Sequence, residues 1–262
     1  MEAILETKSL TMNFGGIKAL DRVDVEVRPG EICALIGPNG AGKTTFFNCI
    51  TGIYPPSEGD VFISPPAGKR RRINGLPVHK VTARGLARTF QNIRLFPDMT
   101  VLENVMVGRH CRTKAGVLGA IFRDRPTRDE EKAVANRSLG ILERIGLAPA
   151  ANILARNLPY GDQRRLEIAR ALATEPFLLL LDEPAAGMNP RETDALEELI
   201  LKIRNEENIS ILMIEHDMRM VMSISNRIVV LDYGKKIAEG TPAEIWENPV
   251  VIKAYLGEEF EA

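Results

Sequence analysis

Eight consecutive residues constrain this chain more than any others. Gly37-Pro38-Asn39-Gly40-Ala41-Gly42-Lys43-Thr44 follows the pattern GxxxxGK[ST]. Glycines at these places let backbone N–H groups turn inward and approach phosphate oxygens. The preceding run, Glu31–Ile36, is almost wholly apolar and does not alternate, as in a strand buried on both faces of a parallel or mixed sheet. The following run, Lys43–Ile50, reads as a helix closed by Gly52. Strand, glycine-rich loop and helix in that order aim a helix N-terminus, beginning at Gly42, at an anion. Lys43 can then reach the β- and γ-phosphates of a nucleoside triphosphate, and the Thr44 hydroxyl can ligate Mg²⁺.

Charge and composition close off other classes. The 262 residues carry 34 Lys+Arg and 35 Asp+Glu, a formal net charge of −1, which argues against a globally basic nucleic-acid binder. A chain this long buries roughly three-quarters of its unfolded surface and needs no disulfide or metal staple. No run approaches the ~18–20 apolar residues that span a bilayer. The opening MEAILETKSL lacks the basic start and long apolar core of a signal peptide. Cys33, Cys49 and Cys111 are scattered without a CxxC pair, which suits free thiols in a reducing cytosol.

Along the chain, Ala3–Thr7 and Val23–Val27 read as strands. Residues 55–79 are broken by proline and glycine into loop and hairpin, and contain Lys69-Arg70-Arg71-Arg72. That quartet is either a solvated loop or a contact for lipid headgroups or nucleic acid. Residues 92–175 lose strand character. A helix is expected over Arg128–Gly146, with Ala135, Leu139, Leu142 and Ile145 on one face. Another is expected over Gln163–Thr174, with Leu166, Ala169 and Ala173 on one face and Arg164 and Arg165 off it. The α/β pattern resumes with a strand at Phe177–Leu181. Asn189-Pro190-Arg191-Glu192 then reads as N-cap, first-position proline and capping-box acid ahead of an amphipathic helix through Leu196, Leu199, Ile200 and Ile203. A strand at Ile209–Ile214, a hairpin around Asp232-Tyr233-Gly234 and a helix capped by Thr241 complete the chain.

The apolar run ending at Leu181 delivers Asp182-Glu183-Pro184 at its carboxyl tip. Asp182 is placed to hold Mg²⁺, through water, and Glu183 to orient or deprotonate an attacking water. His216 ends the next strand in Ile214-Glu215-His216-Asp217, where parallel α/β sheets present ligand-binding residues. It can hydrogen-bond the γ-phosphate or hold the water. His79 and His110 have no such placement.

Taken together, the phosphate loop, Gln91 in Thr89-Phe90-Gln91-Asn92, Leu158-Pro159-Tyr160-Gly161-Asp162-Gln163, Asp182-Glu183, Ala186-Gly187-Met188-Asn189-Pro190 and His216 resemble the ATP-binding cassette of ABC transporters across essentially the whole chain. The resemblance implies a P-loop NTPase core, with a mixed, mainly parallel sheet, an antiparallel β part and an inserted helical subdomain. Its segments are 1–91, 92–175 and 176–262. It implies ATP and Mg²⁺ bound by residues 37–45, Thr45 included, with Thr44, Gln91 and Asp182 toward the metal. Phe14, in Asn13-Phe14-Gly15-Gly16, matches the residue that stacks on adenine, though core packing is open to it. Gly161 and Asp162 belong to the signature segment that caps ATP held by a second cassette in a head-to-tail dimer. That segment departs from Leu-Ser-Gly-Gly-Gln: Pro159 replaces the serine, Tyr160 the first glycine and Asp162 the glutamine. The serine hydroxyl is lost, so the Gly161 N–H and the helix dipole must do more. Asn189 stands where the family often has Asp, and it also suits a plain helix cap.

Several details are similar to the larger ATPase subunit of high-affinity branched-chain amino-acid importers: Tyr160–Arg170, Asp182–Pro190, Ile214–Met218, Val251–Gly257, Arg94-Leu95-Phe96 and a long 111–130 stretch. This implies an ATPase peripheral to the inner face of the cell membrane. Its partners would be permease subunits, a second cassette and, indirectly, a substrate-binding protein, with no nucleic acid. Related cassettes for urea uptake or lipopolysaccharide export, a soluble non-transport ABC ATPase and a regulatory subunit without turnover are the alternatives. Lys43, Asp182, Glu183 and His216 oppose the last, and one cassette without long heptads opposes the soluble ATPase. Ile93, Leu95, Phe96, Met99, Val101 and Leu102 form either a groove for a permease helix or ordinary packing of the helical lobe.

Overall fold

The computed structural model describes residues 2–112 and 125–259, so most of the 111–130 stretch lies outside the described residues. Two compact units separate: Met1–Arg88 with Phe177–Ala262, and Thr89–Pro176.

The first unit holds two sheets. Strands β1 (Leu5–Phe14), β2 (Ile17–Val23), β3 (Glu26–Val27), β5 (Glu58–Ile63) and β6 (Arg71–Arg72) pair antiparallel in the order β2-β1-β5-β6, with β3 on β1. Strands β4 (Ile32–Ile36), β7 (Leu86–Arg88), β8 (Leu178–Asp182), β9 (Ser210–Ile214), β10 (Arg227–Asp232) and β11 (Lys235–Gly240) run β11-β10-β4-β9-β8-β7. All neighbours in this second sheet are parallel except β10 and β11. The expected run Val23–Val27 is broken at Asp24 and Val25. There the Asp24 carboxylate accepts the Ser9 N–H and the Thr7 hydroxyl accepts the Val25 N–H. Strand β7 and helix α2 (Val78–Ala83) were not read from the sequence. Both are short, and neither carries a long periodic pattern.

Because side chains alternate across a strand, Cys33 and Leu35, Leu178 and Leu180, Leu212 and Ile214, and Val229 and Leu231 share one face of the second sheet. They join one core cluster with Leu5, Leu10, Val61 and Ile63 of the antiparallel sheet. Phe46, Phe47 and Ile50 of helix α1 (Lys43–Ile50) are in that cluster and fully buried. Each such side chain contributes roughly 1.5–3 kcal/mol of burial. The helix that begins at the phosphate loop is therefore anchored by its own apolar face. Cys33 and Cys49 are buried free thiols, each pushed up to about 12 by burial, while Cys111 is exposed. In the basic quartet, Arg70 pairs with Glu6 and lies over the Phe62 ring, and Arg72 pairs with Asp60.

The second unit is helical. Helix α3 (Val101–Arg109) opens with a capping box in which Thr100 and Glu103 exchange hydrogen bonds. Two residues of the apolar set read as groove or packing, Val101 and Leu102, thus begin a helix, and Val101 is buried. Phe96 and Met99 are exposed. Helix α4 (Arg125–Arg144) buries Ser138, Ile141 and Leu142, with Ile145 just beyond it. Leu139, expected on the inner face, is exposed, because the stripe 138, 141, 142, 145 keeps the helical period better. Helix α5 (Tyr160–Leu172) begins three residues earlier than expected. A Cβ at Gly108 of α3 would lie 2.3 Å from the Arg170 carbonyl of α5, so the two helices cross at backbone distance.

Candidate functional site

The phosphate loop joins β4 to α1. At Gly37 (φ +147°) a Cβ would lie 2.0 Å from the Leu231 carbonyl oxygen, and at Gly42 (φ +99°) 2.6 Å from that of Ala19. No side chain fits at either place, so these glycines hold the loop against β10 and β2. The Gly234 N–H donates to the Ala41 carbonyl at 3.0 Å and ties the same loop to the 232–234 turn. Helix α1 runs from Lys43 to Ile50, the span read from the sequence, with Gly42 as its left-handed N-cap. Lys43 is buried, and its Nζ donates to the carbonyls of Gly37 and Pro38 at 2.6 and 2.7 Å. Asn39, Gly40 and Thr44 are exposed, Pro38 and Ala41 buried, and Thr45 half-buried.

Strands β8 and β9 deliver the acids and the histidine. Their register places Asp182 opposite Ile214, so Glu183 and His216 leave adjacent strands at the same edge. His216 Nε2 lies 3.2 Å from Glu183 Oε1. Glu183 is not glycine yet sits at φ +49°, with its N–H donating to the Ile214 carbonyl at 2.9 Å. Such a backbone costs of order 1–3 kcal/mol and persists only where its surroundings impose it. Asp182 is buried, and its Oδ2 accepts from Arg88 Nη2 at 2.7 Å.

Two residues here escaped sequence reasoning. Arg88 pairs with Asp182 across 94 positions of sequence, a separation no local pattern encodes. Glu215 was noted only as a neighbour of His216. Its buried carboxylate accepts the N–H groups of Ala185, His216 and Asp217 at 2.8, 2.8 and 3.2 Å. It therefore fastens the loop after Glu183 to the loop carrying His216.

Asn189 caps helix α6 (Pro190–Glu207). Its side chain accepts the Glu192 N–H at 3.1 Å and its own N–H donates to Glu192 Oε2 at 3.0 Å, the capping box read from the sequence. Phe14 ends β1 half-exposed, edge-on to Tyr54 with centroids 5.3 Å apart, so the core-packing reading does not hold for it.

In the helical unit, Gly161 is buried in the first turn of α5, after a Pro159 N-cap that makes no side-chain cap bond. The opening N–H groups of that turn therefore begin at Tyr160 rather than at Gln163. Asp162 pairs with Arg165 at 2.7 Å. Arg164, expected off the packed face, is buried. It donates to the backbone carbonyls of Phe90 and Gln91 at 3.1 and 2.6 Å and to the Tyr160 hydroxyl at 2.9 Å. Glu167 lies 3.5 Å from it, and burial raises that carboxyl above its ordinary range despite the guanidinium. The Gln91 side chain is exposed.

Among the described residues no group of three or more His, Cys, Asp or Glu could hold a metal by itself. The oxygens of Thr44 and Asp182 are hard donors of the kind Mg²⁺ accepts when phosphates supply other ligands, so the residues fit a nucleotide-borne ion.

A glycine-bound phosphate loop at the edge of a mainly parallel sheet, with paired acids at a strand tip, defines a P-loop ATPase. A family model described as "ABC transporter" matches residues 20–186, and one described as "Branched-chain amino acid ATP-binding cassette transporter" matches residues 235–261. The chain is 49% identical over 257 residues to the high-affinity branched-chain amino acid transport ATP-binding protein LivG of Escherichia coli (strain K12), covering 98% of this chain and 99% of that one. The solved ADP conformation of MJ1267, an ATP-binding cassette of an ABC transporter, superposes with a TM-score of 0.84 at 32% identity, covering 98% and 100% of the two chains. A dimeric post-hydrolysis structure of the cassette MJ0796 bound to ADP and Pi matches with a TM-score of 0.74 at 26% identity, over 91% and 98%. This chain belongs to the ATP-binding cassettes of the ABC transporter family.

Proposed function

We propose that the chain is the ATP-hydrolysing motor subunit of an importer for branched-chain amino acids, peripheral on the inner face of the cell membrane. The solute rests on the near full-length likeness to LivG and on the C-terminal match at 235–261. The chemistry rests on the 3.2 Å approach of His216 to Glu183 at the sheet edge that carries the phosphate loop.

In this reading the N–H groups of residues 37–45 and the Lys43 ammonium bind the triphosphate, and Phe14 stacks on adenine. Thr44, Gln91 and Asp182 hold Mg²⁺, which when bound neutralises charge on the β- and γ-phosphates. His216 orients the Glu183 carboxylate, and Glu183 accepts the proton of the attacking water. The strained Glu183 backbone aims that carboxylate before any nucleotide arrives. More donors are needed on the far side of the γ-phosphate. The first turn of α5 in a second cassette supplies them through Gly161, with Asp162 and Asn189 at the same interface. ATP is then part of the dimer interface, and its hydrolysis loosens that interface. Leu95 and Phe96 meet the permease, so closure of the dimer is transmitted to it.

The test is labelled leucine uptake by the chain co-expressed with its permeases, its second cassette and its binding protein. Uptake should require the chain, and Glu183→Gln should abolish it while lowering ATP turnover by about 10²–10⁴-fold with ATP still bound. Full turnover in Glu183→Gln would contradict the chemistry. Normal leucine uptake without the chain would contradict the solute.

A further inference from the structure

Arg88 lies outside the short motifs that carry the family resemblance, yet it meets the acid at the centre of the site. Its guanidinium reaches in more than one direction. Nη2 donates to Asp182 Oδ2 at 2.7 Å, Nη1 donates to Asn48 Oδ1 at 2.8 Å and Thr51 Oγ1 at 3.3 Å, and its carbon lies 5.4 Å from the Phe47 ring centroid. Both side chains of the ion pair are almost wholly buried, at 7% and 5% exposed. Asn48 and Phe47 lie on α1, the helix whose first turn carries Lys43 and Thr44, and Thr51 follows directly after it.

We propose that Arg88 is a positioning residue that sets the Asp182 carboxylate in register with the phosphate-loop helix for its work on the nucleotide-borne divalent cation. This rests on the reading of Asp182 as a holder of that cation. The planar guanidinium presents donors in a fixed fork, so fastening one side to α1 fixes the direction of the other. With Oδ2 held by Arg88, the carboxylate cannot rotate freely about its last bond. Asp182 and Thr44 then move as one framework, although they come from different elements. An ammonium lacks the fork: Lys at this position keeps the charge and not the two-sided attachment.

The experiment compares ATP affinity in Mg²⁺ with affinity in EDTA for the full-length chain and its variants. Arg88→Met should weaken binding in Mg²⁺ about tenfold and leave binding in EDTA within about twofold, the pattern of a lost outer partner of a metal ligand. Arg88→Lys should recover part of the loss. Asn48→Ala, which keeps both charges and loosens the guanidinium, should show the same selective loss at smaller size. A buried ion pair that loses one partner can fail to fold. If Arg88→Met does so, Arg88→Lys and Asn48→Ala decide the question by the same comparison. Equal losses with and without Mg²⁺, no loss at all, or tighter Mg²⁺-dependent binding would overturn the proposal. Asp182→Asn separates the two layers. Unchanged Mg²⁺ dependence there defeats the reading of Asp182 itself, whereas a loss in Asp182→Asn with none in the Arg88 variants defeats only the role of Arg88.

Discussion

The nucleotide core and the helical unit reach their functional geometry by different means. In the core, backbone does most of the placing. Parallel strands end together, so Asp182, Glu183 and His216 arrive at one edge, and two glycines that admit no side chain pin the phosphate loop. In the helical unit, a side chain does the placing. Arg164 reaches from α5 to the carbonyls of Phe90 and Gln91 while holding the Tyr160 hydroxyl. The contrast teaches where each half is vulnerable. A backbone frame tolerates many side-chain changes, whereas a clasp fails when one residue is lost.

The most forceful way to break that contrast is Arg164→Met. It takes the nearest guanidinium from buried Glu167 and removes the Arg164 donor from the Phe90 and Gln91 carbonyls and the Tyr160 hydroxyl. The expected cost is about 3–5 kcal/mol, confined to the helical unit. Amide exchange should accelerate across 160–172 and around Gln91 while strands β4, β8 and β9 stay protected. Unchanged exchange around Gln91 would mean that the clasp does not shape this unit. A smaller effect sharpens the core side. Asn189→Ala removes a cap and should cost about 1 kcal/mol, read by denaturant melting. Asn189→Asp should restore that stability, since both residues cap well. A loss much beyond the cap value would show that Asn189 does more within its own chain than start a helix.

Legibility in the sequence follows the same division. The phosphate loop, the Asp182-Glu183 tip and the caps at Asn189 and Thr241 were readable because each is a local pattern with a local cause. The placement of Glu183 and His216 on neighbouring strand ends was inferable, but their 3.2 Å contact was not, since strand register depends on the whole sheet. Arg88 was missed because Asp182 is distant from it in sequence; Arg164 was missed because the carbonyls it clasps, Phe90 and Gln91, are distant, and arginine in an amphipathic stretch ordinarily faces solvent. Helix α3 was missed because Val101 and Leu102 were read only as members of an apolar patch. The Thr100–Glu103 capping box was the signal that would have found it. Leu139 was misassigned by one position within a helix, where neighbouring residues differ by about 100° in direction.

The central claim is that one triphosphate is shared between this chain's phosphate loop and the first turn of α5 in a second cassette. The most direct test is the particle mass of the Glu183→Gln chain held with Mg²⁺ and ATP, alone and with its permease and the second cassette supplied. Two cassettes per particle, falling apart when ATP is removed, are predicted. A species that stays at the 29.0 kDa of a single chain with all partners present would contradict the account.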